Sequence, residues 1–120
     1  EWTTLETYLT NNGYGFGGEG NDIAKSLSAT SGWLESGLAG SVGNDQSSNN
    51  SSGFTALPGG FRHNQGFYDY ADYIGFWWSS SEGEPGSNVA RSRNLQNNSI
   101  NLNNTLYDKH KGLSVRCIKD

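Results

Sequence analysis

Three large aromatics in immediate succession, Phe76-Trp77-Trp78, constrain this chain more than any other feature. Gly75 precedes them, and the breaker-rich Gly83-Glu84-Pro85-Gly86 follows the serines behind them, so the run reads as one short strand. Neighbours in a strand point to opposite faces, which puts Phe76 and Trp78 on one face and Trp77 on the other. Both faces then need cover, as they would in a central strand and not at an edge. Each such ring can bury on the order of 150–250 Å². Only 32% of the residues are hydrophobic, so the core has to form here.

The remaining bounds are loose but useful. A chain of 120 residues is expected to be one domain. Its net charge of -4 and pI of about 5.0 disfavour a nucleic-acid groove or an anionic membrane surface as partner. Charged residues make up 17%, so the polarity comes from Asn, Ser, Gly and Thr. Four Trp, six Tyr and five Phe argue against disorder in spite of that polarity. No apolar run approaches the roughly 20 residues of a membrane span, and no signal or basic targeting segment is visible. The chain opens inside a helical pattern, Glu1-Trp2-Thr3-Thr4-Leu5, and is expected to be the C-terminal part of a longer protein. Cys117 is the single cysteine. It reads as a buried small hydrophobe on an alternating closing strand, or as a half-cystine for a partner outside this segment. No basic partner that would make it a catalytic thiol stands out.

Trp2, Leu5 and Leu9 share one helical stripe that stops at Asn11-Asn12-Gly13. The glycines of Tyr14–Gly20 lack the preceding strand and the Gly-Lys-Ser of a phosphate loop. A second helix is expected from Ile23 to about Ala29, capped by Asn21 or Asp22, with Trp33 folding back on the core. In the long loop from Gly37 to Gly53, Asn44, Asp45 and Asn49 offer oxygens of the kind calcium takes. The spacing of a helix-loop-helix calcium site is absent, and a loop pinned by its own Asn and Ser side chains is the other reading. Short strands are expected at Phe54–Leu57, from Phe61, at Phe67–Tyr70, at Asn88–Leu95, at Ser99–Asn103 and at Leu113–Ile118, with Asn104–Lys111 a loop. His63 falls at a turn tip. Ser79, Ser80 and Ser81 lack the context of a hydrolase nucleophile. Two helices followed by short antiparallel strands make an α+β fold, loop-rich and without an internal repeat.

Asparagine is depleted in strands because its side chain competes for backbone hydrogen bonds. Here it crowds residues 88–110. With Ile100 and Leu102 inward, the outward set is Arg91, Asn94, Asn97, Asn98, Asn101, Asn103, Asn104, Tyr107, Asp108 and His110. Donors, acceptors and a flat ring on one surface resemble the chemistry of antibody loops. The two readings are a binding face on a rigid scaffold, which Tyr68 and Tyr70 could join, and an inert polar surface.

Four ordered runs carry a family resemblance: Ala24-Lys25-Ser26-Leu27 with Ser31-Gly32-Trp33, Ser51–Arg62, Phe76–Glu82 and Gly112–Asp120. They resemble the Fibrobacter succinogenes major paralogous domain, found in gut and rumen Bacteroidetes-type bacteria and their phages. The resemblance implies a C-type lectin-like fold in its form without calcium or disulfides. Some members are variable proteins of diversity-generating retroelements, in which template adenines mutate and Asn codons diversify; residues 88–110 are similar to such a variable segment. The same fold houses formylglycine-generating enzymes, whose copper-binding cysteine pair this chain lacks. Glu84-Pro85-Gly86 lacks the third ligand of the calcium motif in animal lectins. The expected function is therefore non-enzymatic: a receptor-binding or adhesion domain without a cofactor, outside the cell on a bacterial surface or a phage particle. Its partner would be a protein or glycan of a host or neighbouring cell, with no nucleic acid and no membrane insertion. The alternative is a structural module of a surface lipoprotein.

Overall fold

Phe76 and Trp77 both need cover, and the fold supplies it on two sides. In the computed structural model, which describes residues 1–117, the chain forms helix α1 (Trp2–Asn11), a single helical turn α2 (Ala24–Leu27) and five strands. These are β1 (Gly59–Arg62), β2 (Tyr68–Ala71), β3 (Ile74–Glu82), β4 (Val89–Gln96) and β5 (Asn103–Asp108). The sheet order is β2-β1-β3-β4-β5, so the aromatic strand β3 is central as expected. Phe76 is 2% and Trp77 5% exposed. The architecture is a small α+β domain with a mixed sheet: β1 runs parallel to β3 and the other pairs are antiparallel. The expectation of an all-antiparallel sheet is corrected on that one pairing.

The face of Trp77 packs on the helical side of the molecule. Leu9, Ile23, Ala24, Leu27, Trp33, Val42, Ala56 and Leu95 join it in one buried cluster, with Trp2, Leu5 and Phe54 half-buried against it. The Trp2 indole N–H donates to the Trp78 carbonyl at 3.3 Å, tying α1 to the central strand. The stripe of α1 is as the spacing predicts, and the helix ends where Gly13 takes φ +78°. On the opposite face Phe76 meets Phe61 and Tyr107 edge-on, with centroids 5.6 and 4.9 Å away. A second aromatic cluster thus covers the sheet where no helix does.

Several boundaries differ from the sequence pattern. α2 is one turn, from Ala24, and neither Asn21 nor Asp22 caps it; the Asp22 carboxylate accepts the Phe16 N–H at 3.1 Å instead. Phe54–Leu57 is not a strand: Thr55 has φ +57°, and only Ala56 bridges to Ser28. Ser99–Asn103 is not a strand either. Ser99 Oγ accepts the Asn101 N–H at 3.1 Å, and the Ser99 and Ile100 carbonyls are taken by Val42 and Ala24. A local side-chain bond and two distant partners leave no ladder for this stretch. The strand instead begins at Asn103 and runs through the stretch expected to be a loop. Among the described residues the expected closing strand is replaced by two isolated bridges. Gly112 bridges Arg62 and Ser114 bridges Trp77, so the tail fills the gap where β1 and β3 diverge. Val115 is 73% exposed and Cys117 is exposed, which overturns the buried reading of that thiol. Ile118, the end of the expected strand, lies outside the described residues. No helix among the described residues is long and apolar enough to cross a membrane.

Candidate functional site

Register decides which asparagines can touch anything. β4 pairs with β3 through Phe76↔Asn94 and Trp77↔Arg93, and with β5 through Asn94↔Asn103 and Arg93↔Asn104. Asn94 therefore shares the face of Phe76, beside Asn103, Thr105 and Tyr107. Arg93 shares the face of Trp77, beside Arg91, Asn104, Leu106 and Asp108.

Two members of the expected outward set are inside. Asn94 is 3% exposed; its amide donates to Thr105 Oγ1 at 2.9 Å, and its carbonyl oxygen accepts from Gln96 and Asn103, each at 3.3 Å. Asn97 is 8% exposed and its amide donates to the Leu34 carbonyl at 3.3 Å. Both pin the fold. They lie inward because the alternation that puts Leu95 inward is interrupted at the Asn97-Asn98 turn, and because the second aromatic cluster buries the other face of β4 as well. Arg91, Asn98, Asn101, Asn104 and His110 are exposed, while Asn103, Tyr107 and Asp108 are half-buried. Arg91, Asn104 and Asp108 occupy the face opposite Asn103 and Tyr107, so the predicted set is not one surface. Tyr68 and Tyr70 lie on β2, at the far edge of the sheet from β5. Tyr70 stacks on Phe61 at 5.8 Å, and Phe61 in turn meets Tyr107 at 6.1 Å, which links the two edges through one ring. A groove of about 430 Å³ runs along Tyr68, Asp69, Tyr70, Ala71 and Tyr73.

The structure gathers three of the remaining asparagines, Asn101, Asn103 and Asn104, at a place the sequence did not indicate. A cleft of about 400 Å³ lies between α1 and the start of β5, lined by Glu6, Thr10, Asn21, Asn101, Asn103 and Asn104, with Ile23 and Leu102 as its apolar part. At this cleft, Glu6 accepts a hydrogen bond from Arg93 Nε at 2.5 Å. The Arg93 side chain is 7% exposed and that of Glu6 32%. A guanidinium pushed onto the helical face of the sheet has to find an acid there, and Glu6, on α1, supplies it. That was the one signal available in the sequence: in β4, Arg93 alternates with Leu95 on the core side. Nothing in the sequence pointed to Thr10 or Asn21.

Charge elsewhere on the segment is tied down locally. Asp108 accepts the backbone N–H of His110 at 2.8 Å and lies 2.7 Å from its ring Nδ1. Those two bonds, the backbone one first, hold the Asp108 carboxyl below its ordinary range. Burial, followed by the nearby Tyr70, pushes the Tyr107 phenol up. The Lys111 ammonium sits over the rings of Phe61 and Tyr107, at 4.6 and 4.8 Å from their centroids.

The loop read as a calcium candidate holds a different cation. The Lys25 ammonium donates to the carbonyls of Asn44 and Asp45, the latter at 3.1 Å. Asn49 is 7% exposed, and its amide donates to the carbonyls of Ala29 and Val42, both at 3.0 Å. The loop is thus pinned by side chains, the other of the two readings. Among the described residues no three His, Cys, Asp or Glu side chains group where a metal could be held.

A family model described as the Fibrobacter succinogenes major domain matches residues 1–119. No curated protein and no solved structure matches the chain.

Proposed function

Because the chain belongs to the Fibrobacter succinogenes major domain family, we propose that it is a non-enzymatic ligand-binding domain on a C-type lectin-like scaffold, displayed on a bacterial surface or a phage particle. The observation that carries this reading is the cleft beside α1, lined by four asparagines. Asn103 gives one of its amide bonds to Asn94. Asn101 and Asn104 are exposed, and no packing role accounts for an amide at either position. Arg91 on β4 and Asp108 on β5 lie on the same face of the sheet as Asn104, and Asn98 is exposed at the turn after β4. The partner is a protein or glycan of a host or neighbouring cell.

The resemblance to variable proteins of diversity-generating retroelements adds a pattern to look for. Sister copies of the gene are expected to differ at Asn98, Asn101 and Asn104 and to agree at Asn94 and Asn97. A screen against host surface proteins and glycans, run with the domain and with an Asn101→Ala/Asn104→Ala variant, tests the reading. Loss of binding at an unchanged melting temperature is the expected outcome; equal binding by both proteins refutes it. The second reading, a structural module of a surface lipoprotein, draws on the pinned Asn94 and Asn97, which show that part of the asparagine density serves the fold. Sister copies that vary evenly over the surface would favour it.

A further inference from the structure

We infer that the cleft between α1 and β5 takes a neutral, polyhydroxylated ligand, a saccharide, held by carboxamides without a metal ion. The inference rests on the binding reading above and adds the ligand class. Its first ground is charge. Among the described residues Glu6 is the only ionisable group lining the cleft, and Arg93, at 2.5 Å, offsets it. Among the described residues an anionic ligand would meet no free cation there, and a divalent ion no uncompensated acid. The second ground is the donor and acceptor inventory. Each of Asn21, Asn101 and Asn104 offers two N–H donors and one carbonyl oxygen, and Thr10 adds a hydroxyl. Neighbouring hydroxyls on a sugar ring both donate and accept, so one carboxamide can engage a pair of them. The third ground is the small apolar part. Ile23 is 2% exposed, so among the described residues Leu102 supplies most of the apolar surface of the cleft. A peptide docking here would find no pocket for an apolar anchor. The size of about 400 Å³ lies within the range of small-ligand sites.

The test is amide NMR of the isotope-labelled domain, in the presence of EDTA, titrated with a panel of neutral mono- to tetrasaccharides. A parallel series uses neutral peptides of Gly, Ser and Thr. Saturable shifts at Thr10, Asn21 and 101–104, with a Kd on the order of 1 mM, are expected for at least one saccharide. Asn101→Ala/Asn104→Ala should weaken binding about tenfold or more at an unchanged melting temperature, and Ser80→Ala, at the far end of β3, should leave it alone. If peptides shift these amides and saccharides do not, the ligand class is wrong and the binding site stands. If saccharides bind only when EDTA is replaced by calcium, the metal-free mode is wrong. If neither series shifts the cleft, or shifts survive the double variant intact, both the ligand class and the site fall.

Discussion

Replacing Asn94 by alanine should destabilise the domain where replacing Asn101 does not, although the two residues look alike in sequence. The magnitude follows from the contacts. Asn94 makes one well-formed side-chain bond at 2.9 Å and accepts two long ones at 3.3 Å. A neutral hydrogen bond contributes about 1 kcal/mol net, and long ones less, so truncation removes about 2 kcal/mol. The partners Thr105, Gln96 and Asn103 are half-buried and regain some water, which keeps the cost from rising further. At roughly 3–5 °C per kcal/mol for a domain of this size, Asn94→Ala should melt about 6–10 °C lower. Asn101 is exposed, and its alanine variant should stay within about 0.5 kcal/mol, or about 2 °C. Thermal melts followed by near-ultraviolet circular dichroism, with urea curves to check that the slope is unchanged, measure both. An Asn94 variant that melts with the parent while the Asn101 variant falls would refute the division between pins and display residues. The register built on Phe76↔Asn94 would fall with it.

Three further outcomes are expected. Glu6→Ala leaves the Arg93 charge buried without its acid; because Glu6 is 32% exposed and water can follow, the loss should be about 2–3 kcal/mol, below the cost of breaking a fully buried pair, and Glu6→Ala/Arg93→Met should recover much of it in urea denaturation. The Tyr107 phenol is raised above its ordinary value of 10.0, so its contribution to stability is complete below that pH and is lost as pH rises through the folded value. Ultraviolet titration should show Tyr107→Phe removing a late-ionising phenol and easing the alkaline loss of stability. Gly60→Ala should cost at least about 2 kcal/mol and speed amide exchange in β1 and β2, because φ is +61° and a Cβ would come 2.1 Å from the Asp69 carbonyl oxygen.

Much of the fold is local chemistry and was legible in order along the chain. The α1 stripe and its stop at Gly13, the aromatic strand and the turn His63–Gly66 each depend on near neighbours. The position of β3 in the middle of the sheet follows from two bulky rings pointing opposite ways. The errors share a cause. Ser99-Ile100-Asn101-Leu102-Asn103 alternates as a strand should, but the carbonyls of Ser99 and Ile100 are claimed from 57 and 76 positions away in the order of the chain, at Val42 and Ala24. Leu113–Cys117 alternates too, yet among the described residues the tail bridges to the sheet only at Gly112 and Ser114.

From its order alone the chain determined an α+β fold built round tryptophan and an unusual density of carboxamides in one stretch. Only the tertiary structure decided which of those carboxamides face inward. A side chain's face follows from the pairing of its strand, and a shift of one residue exchanges the faces. That pairing is settled by strands and a helix distant in the chain. It placed Asn94 and Asn97 inside and brought Asn101 and Asn104 to the same cleft as Glu6, almost the whole chain away.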